Sequence, residues 1–114
     1  MDEKTKKIFF WLFLILVLLF LTELFNNNPT PPDKIDAYIM MKEFVKDKLK
    51  SPASADFESN QTIGYKFENG IFTFSGYVDS QNSFGAMLRT RFTVSINYKF
   101  ETKKWFLESI VFNN

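Results

Sequence analysis

The sequence predicts an α+β fold, in which an N-terminal transmembrane helix precedes one helix packed on a four-stranded antiparallel meander. Residues 8–21 form an unbroken run of fourteen apolar residues. Residues 33–50 place apolar side chains at helical spacing, and from residue 61 onward apolar and polar side chains alternate. Helices and strands that are segregated along a chain in this way are typical of a two-layer α+β domain.

Residues 8–25 are predicted to be a signal anchor that spans a membrane once. Fourteen helical residues rise about 21 Å, and extension to Phe25 gives about 27 Å, against a hydrocarbon core of roughly 30 Å. Trp11 suits the bilayer interface, where indole rings are favoured. The lipid bilayer is therefore the expected partner of residues 8–25.

Two other interpretations of the apolar run are weaker. A cleaved secretory signal needs small residues just before the cut, and residues 8–32 contain no Ala, Gly or Ser. A buried core helix would need a larger protein around it, because residues 8–21 have no polar face. An uncleaved anchor remains the prediction.

The basic residues predict the direction of insertion. Lys4, Lys6 and Lys7 precede the apolar run, whereas the first lysine beyond it is Lys34. The positive-inside rule then places the N-terminus in the cytoplasm. The expected organisation is a cytoplasmic tail at 1–7, the anchor at 8–25, a Pro/Asn linker at 26–32 and an extracytoplasmic domain at 33–114.

The composition excludes several classes of chemistry. The chain has no His and no Cys, which removes imidazole bases, thiol nucleophiles and the usual zinc ligands. Residues 26–114 hold eleven basic and ten acidic residues, without the basic excess of a nucleic-acid binder. We therefore expect no catalytic residues, metal, cofactor or nucleic-acid partner; acid–base work by Asp79 with Arg89 is the residual enzymatic alternative.

Residues 33–50 are predicted to form a helix that begins with Asp33 as its cap. Ser51 and Pro52 end it, because the residue before proline is disfavoured in helical conformation, and they can start one short turn. A membrane-surface helix is the alternative to packing on a sheet. The expected core-facing stripe comprises Ile35, Tyr38, Met41, Val45 and Leu49.

Four strands are predicted at 62–67, 71–79, 88–100 and 104–112. Asn69 and Gly70 separate the first two and favour a tight hairpin. One face of the central strands should collect Phe72, Phe74, Val78, Phe92, Val94, Ile96, Tyr98 and Phe100. The WFL and IVF runs of the last strand predict partial burial on both of its faces.

The connection after residue 79 is longer than a tight hairpin requires and is rich in hydrogen-bonding groups. Such a set can bind a peptide, a glycan or a phosphate. Turn chemistry offers the plainer interpretation, in which Asp, Ser and Asn bond their own backbone and Arg89 pairs with Asp79. The candidate binding residues are Asp79, Gln81, Asn82, Ser83, Phe84, Arg89 and Arg91.

The sequence SPASADF at 51–57, then Gly76-Tyr77-Val78 and DSQNSFGAMLRTRFTV at 79–94, resembles a pattern in small uncharacterised bacterial and phage-encoded proteins. Those proteins often carry this domain behind a membrane segment or a zinc ribbon. The resemblance spans roughly residues 45–112. Family members often have a cysteine at or near the position of Val94, and this chain has none. The resemblance implies the domain and the importance of the loop, but no reaction.

Together these features predict a membrane-tethered extracytoplasmic binding or interaction domain of bacterial or phage origin. Its partner is expected to be a protein or another cell-envelope ligand. The alternative is a structural subunit of an envelope-spanning assembly such as a secretion or conjugation channel. A pilin is disfavoured, because no glycine precedes the apolar run and Glu23 lies at its far end.

Overall fold

The computed structural model describes residues 2–26 and 30–113. The chain divides into two compact units, residues 1–30 and residues 31–114. The first contains one helix, and the second contains a helix and an antiparallel sheet, which confirms the α+β class.

Helix α1 spans Glu3–Phe25, a length of 23 residues that rises about 34 Å. Asp2 caps it, because its Oδ1 accepts hydrogen bonds from the Thr5 backbone N–H (2.8 Å) and hydroxyl (2.6 Å). The apolar side chains are exposed all round the helix. Helix α1 is thus long and apolar enough to span a membrane.

The second unit begins with helix α2 and continues into five strands. Between helix and sheet lies a short 3₁₀ turn at Pro52–Ser54. The elements are α2 (Lys34–Lys46), β1 (Asp56–Phe57), β2 (Gly64–Glu68), β3 (Ile71–Gln81), β4 (Met87–Lys99) and β5 (Lys104–Asn113).

Strands β2 to β5 form the predicted antiparallel meander, with neighbours in chain order paired in the sheet. Strand β1 adds a fifth piece that the sequence did not reveal. It pairs with β3 at Val78 and Asp79, whereas β2 pairs with β3 at residues 71–75. One edge of β3 is therefore shared by two short strands, with Gly76 at the gap between them.

Helix α2 starts with a reciprocal capping box, in which Asp33 and Asp36 each accept from the other's backbone N–H. Its buried face comprises Ala37, Met41 and Val45, spaced four residues apart. Ile35, expected in the core, is 56% exposed, so the helix is rotated from the predicted stripe toward the small side chain of Ala37. The helix ends at Lys46, and residues 47–50 form a turn.

The core lies between α2 and the inner face of β3 and β4. Six of the apolar residues expected on that face are buried, and each contributes about 1.5–3 kcal/mol by leaving water. The inner face is less buried toward the C-terminal end of β4, and Phe100, just after this strand, is 42% exposed. The buried six are Phe72, Phe74, Val78, Phe92, Val94 and Ile96.

A β-bulge sets the face pattern of β5. Ser95 pairs with Ser109 but Ile96 pairs with Leu107, so Glu108 is an extra residue on β5. The bulge reverses the alternation, and the prediction of burial on both faces is wrong. One face packs against the core, while Phe106 and Val111 are exposed on the other. The packed residues are Trp105, Leu107, Ile110 and Phe112.

The two ends of the sheet differ in their neighbours. At one end Pro31 and Pro32, where the chain enters this unit, border a cavity of about 60 Å³ with Phe67 and Phe100. The turn that connects β3 to β4 lies at the other end. The eleven residues of β3 separate these ends by about 33 Å.

Candidate functional site

The turn between β3 and β4, residues 82–86, is here named the hairpin tip. The Asn82 backbone N–H donates to the Ala86 carbonyl (2.9 Å), and the Gly85 N–H donates to the Asn82 carbonyl (3.0 Å). Asn82 Oδ1 also accepts from the backbone N–H groups of Phe84 (2.9 Å) and Ala86 (3.0 Å). Gly85 has φ +81°, a conformation that favours glycine. These bonds fix the shape of the tip.

Phe84 projects from this fixed turn and is 94% exposed. Met87 and Leu88, the first residues of β4, are 53% and 54% exposed. Three large apolar side chains therefore stand in solvent within five residues. Successive strand residues point to opposite faces, so Leu88 lies on the inner face with Phe92 and Met87 on the outer face with Arg89, while Phe84 projects from the turn itself.

Asp79 and Arg89 form a bidentate ion pair on the outer face of the sheet. They are direct cross-strand partners, and Arg89 Nε and its terminal nitrogen each lie 2.9 Å from an oxygen of the Asp79 carboxylate. The guanidinium also stacks 3.7 Å from the ring centre of Tyr77. The hydrogen bonds from Arg89 lower the pKa of Asp79 and raise the pKa of Arg89. Both side chains are thus charged and already partnered.

The remaining candidates are placed differently. Arg91 is exposed on the outer face, directly across from Tyr77, and makes no ion pair within the described residues. Ser83 is exposed at the hairpin tip. Gln81 is exposed, and its backbone N–H donates to Ser54 Oγ (2.8 Å), which joins the end of β3 to the 3₁₀ turn. The structure therefore brings all seven candidates to one end of the sheet.

A cleft of about 270 Å³ opens beside the hairpin tip, and sequence reasoning missed it. It lies beyond the end of α2 at Lys46, and the turn at residues 48–50 forms one of its walls. The sequence did contain one indication of this cleft. The inner-face positions continue past the last buried apolar residues as Ser80, Leu88 and Thr90. The lining residues are Lys48, Leu49, Lys50, Ser80, Gln81, Asn82, Leu88, Thr90 and Phe112.

In the described ranges, 2–26 and 30–113, no three acidic, His or Cys side chains converge in a way that could hold a metal ion. The carboxylate at the site, Asp79, is held ionised by its pairing with Arg89. The arrangement suits recognition by apolar contact and hydrogen bonding.

The chain matches no protein-family model, no curated protein and no solved structure. The interpretation of the site therefore depends on its own geometry: a rigid turn, a projecting phenyl ring and an adjoining cleft.

Proposed function

We propose that this chain is a membrane-tethered binding domain that captures a protein partner in the cell envelope through its hairpin tip. The observation that carries the proposal is Phe84, which is 94% exposed on a turn whose backbone Asn82 and Gly85 have already fixed. A preorganised apolar anchor loses little conformational entropy on binding, and aromatic anchors dominate the energetics of interfaces.

Turn formation does not account for a phenyl group at this position. The turn is made by the Asn82 side chain and by the positive φ of Gly85, and the Phe84 side chain makes no aromatic or core contact among the described residues. Removing such a ring from water would contribute about 1.5–3 kcal/mol to an association. The exposed Arg91 and Ser83 supply polar groups for the rim of the interface.

The tether is α1, which the lysines before residue 8 orient with its N-terminus in the cytoplasm. On this proposal residues 31–113 fold outside the cytoplasm and are confined near a lipid surface. Tethering raises the effective concentration of the domain for partners in the same envelope layer. Modest affinity at the hairpin tip is then sufficient for capture.

Site-specific photo-crosslinking in intact cells tests the binding role. A photo-reactive phenylalanine analogue replaces Phe84 in one variant and Phe100, an exposed aromatic at the opposite end of the sheet, in the matched control. We expect one discrete adduct from position 84 and none of that size from position 100. Equal yields from both positions, or no adduct from position 84, would contradict the proposal.

The free edge of β5 favours a second candidate function, a structural subunit of an envelope assembly. Within residues 30–113, this ten-residue strand pairs with β4 alone, and Val111 is 53% exposed on it. Long apolar edges invite pairing with another chain. The sequence has no Cys, so Val111→Cys provides a clean test by oxidation in membranes, with Ser83→Cys as control. Disulfide-linked dimers from position 111 alone would favour assembly.

A further inference from the structure

The cleft beside the hairpin tip carries positive charge and no negative charge. Its nine lining residues include Lys48 and Lys50 and no Asp or Glu. Both lysines are exposed on the turn that follows α2, and no ion pair involving either is formed within the described residues. Their ammonium groups are thus available to an anion at the rim.

Uncharged hydrogen-bonding groups also line the cleft. Ser80 is only 7% exposed, and its hydroxyl makes no hydrogen bond to any described residue. Thr90 supplies a second hydroxyl, and Gln81 and Asn82 supply amides. Among the described residues the fully enclosed polar side-chain atoms that lack a partner are Asn60 Oδ1 and Asn97 Oδ1, so the Ser80 oxygen is still accessible from the cleft. Ser80 is therefore positioned to bond a ligand.

The rest of the lining is apolar, and the volume of the cleft is limited. Leu49, Leu88 and Phe112 provide it, and Leu88 is 54% exposed although it belongs to the inner face. The volume of about 270 Å³ lies just under the roughly 300 Å³ at which pockets for drug-sized ligands begin. A cleft of this size suits a ligand somewhat smaller than a typical drug molecule, such as the end of a peptide.

We infer that this cleft binds the free C-terminal end of a peptide whose last side chain is apolar. The terminal carboxylate pairs with Lys48 and Lys50, the apolar side chain covers Leu88 and Phe112, and the peptide amides bond the Ser80 hydroxyl and neighbouring amides. A hydrocarbon chain is a poorer fit, because it would leave Ser80 buried without a hydrogen bond. The inference rests on the proposed function, since it names the kind of partner held beside the hairpin tip.

The test uses the full chain in lipid nanodiscs of zwitterionic lipid, so that the lysines meet no anionic headgroup. The probes are acetyl-Gly-Gly-Leu with a free carboxylate and the same peptide with a C-terminal amide, titrated by NMR. We expect the acid to bind more tightly, with shifts at Ser80 and Leu88. Lys48→Gln with Lys50→Gln should weaken the acid roughly threefold to thirtyfold and leave the amide unchanged.

The matched control is Lys99→Gln with Lys104→Gln, which removes the same charge from an exposed pair at the opposite end of the sheet. This control should bind the acid as the unmodified chain does. Ser80→Ala provides a second test. It removes the hydroxyl without leaving an unpaired group, and it should weaken the binding of both peptides equally.

Equal affinity for acid and amide, no binding, or no effect of the Lys48 and Lys50 substitutions would overturn the inference. Its failure is distinguishable from failure of the proposed function. An adduct from position 84 in cells together with no peptide binding removes the peptide-end assignment and leaves capture by the hairpin tip intact.

Discussion

Side chains at the candidate site either hold the local structure or are exposed to a possible partner. Asn82 and Gly85 form the turn. Asp79 and Arg89 form an ion pair across β3 and β4 on the outer face, just before the turn. Phe84 is left with no such structural task. Candidate residues that already pair with one another or with the backbone are therefore less available to a ligand. Phe84, Ser83 and Arg91 are more available to it.

Asn82→Ala should loosen the hairpin tip without unfolding the domain. The change removes an oxygen that accepts from two backbone N–H groups, each bond being worth about 0.5–1.5 kcal/mol. Hydrogen exchange at Phe84 and Ala86 should accelerate about tenfold or more, while the amides of the β3–β4 ladder keep their protection. Asn82→Asp retains the acceptor and should change little. Unaltered exchange in Asn82→Ala would show that the side chain does not hold the turn.

The ion pair of Asp79 predicts a pH-dependent contribution to stability. Since the folded state has the lower pKa, the contribution is present at pH values above the ordinary 3.8 and is lost as the pH falls through the folded pKa. Arg89→Gln should lower the melting temperature at pH 7, and the difference should shrink below about pH 4. Arg91→Gln removes the same charge without breaking an ion pair. A decrease in melting temperature for Arg91→Gln as large as that for Arg89→Gln would contradict a stabilising role of the ion pair.

At the scale of elements, the strands, the hairpins and the start of α2 could be predicted from local sequence. Asn69 and Gly70 adopt positive φ as a tight turn requires, and Asp33 forms the expected cap. The paired positions Asp79 and Arg89 follow from alternation on either side of one turn. Local chemistry alone determines these features.

The features that were missed depend on contacts distant in sequence. The bulge at Glu108 is a register shift against β4, and it is held by a hydrogen bond from Asn97 Nδ2 to the Glu108 carboxylate. Strand β1 is two residues long and exists only because β2 leaves part of β3 unpaired. The cleft lies beyond the point where α2 stops, which packing decides more than helix propensity does.

Gly76→Ala should destabilise the sheet at the gap between β1 and β2. A Cβ at this position would lie 2.7 Å from Cγ1 and 2.9 Å from Cδ1 of Ile63, which is buried. Overpacking of this kind costs about 1–3 kcal/mol of unfolding free energy. In an Ile63→Ala background both contacts are gone, and Glu58 Oε1, the remaining close atom at 3.0 Å, is the movable end of a long side chain. The added cost of Gly76→Ala should then fall to a small fraction of that value in chemical denaturation. An equal cost in both backgrounds would contradict the steric explanation.

The whole molecule combines an apolar helix long enough to span a membrane with a small α+β domain. The chain enters the domain beside Pro31, and the hairpin tip and cleft lie about 33 Å away at the other end of β3. The proposed location of the domain outside the cytoplasm depends on the direction of insertion that the lysines before residue 8 favour.

Cysteine labelling tests that direction most directly, because the natural chain has no Cys. Ser83→Cys places a thiol at the exposed hairpin tip, and Thr5→Cys places one before the apolar run. In cells stripped of their wall or outer layer, a membrane-impermeant maleimide should label position 83 at once and position 5 only after permeabilisation. Labelling of position 5 with protection of position 83, or release of the labelled domain into the medium, would contradict a tethered domain outside the cytoplasm.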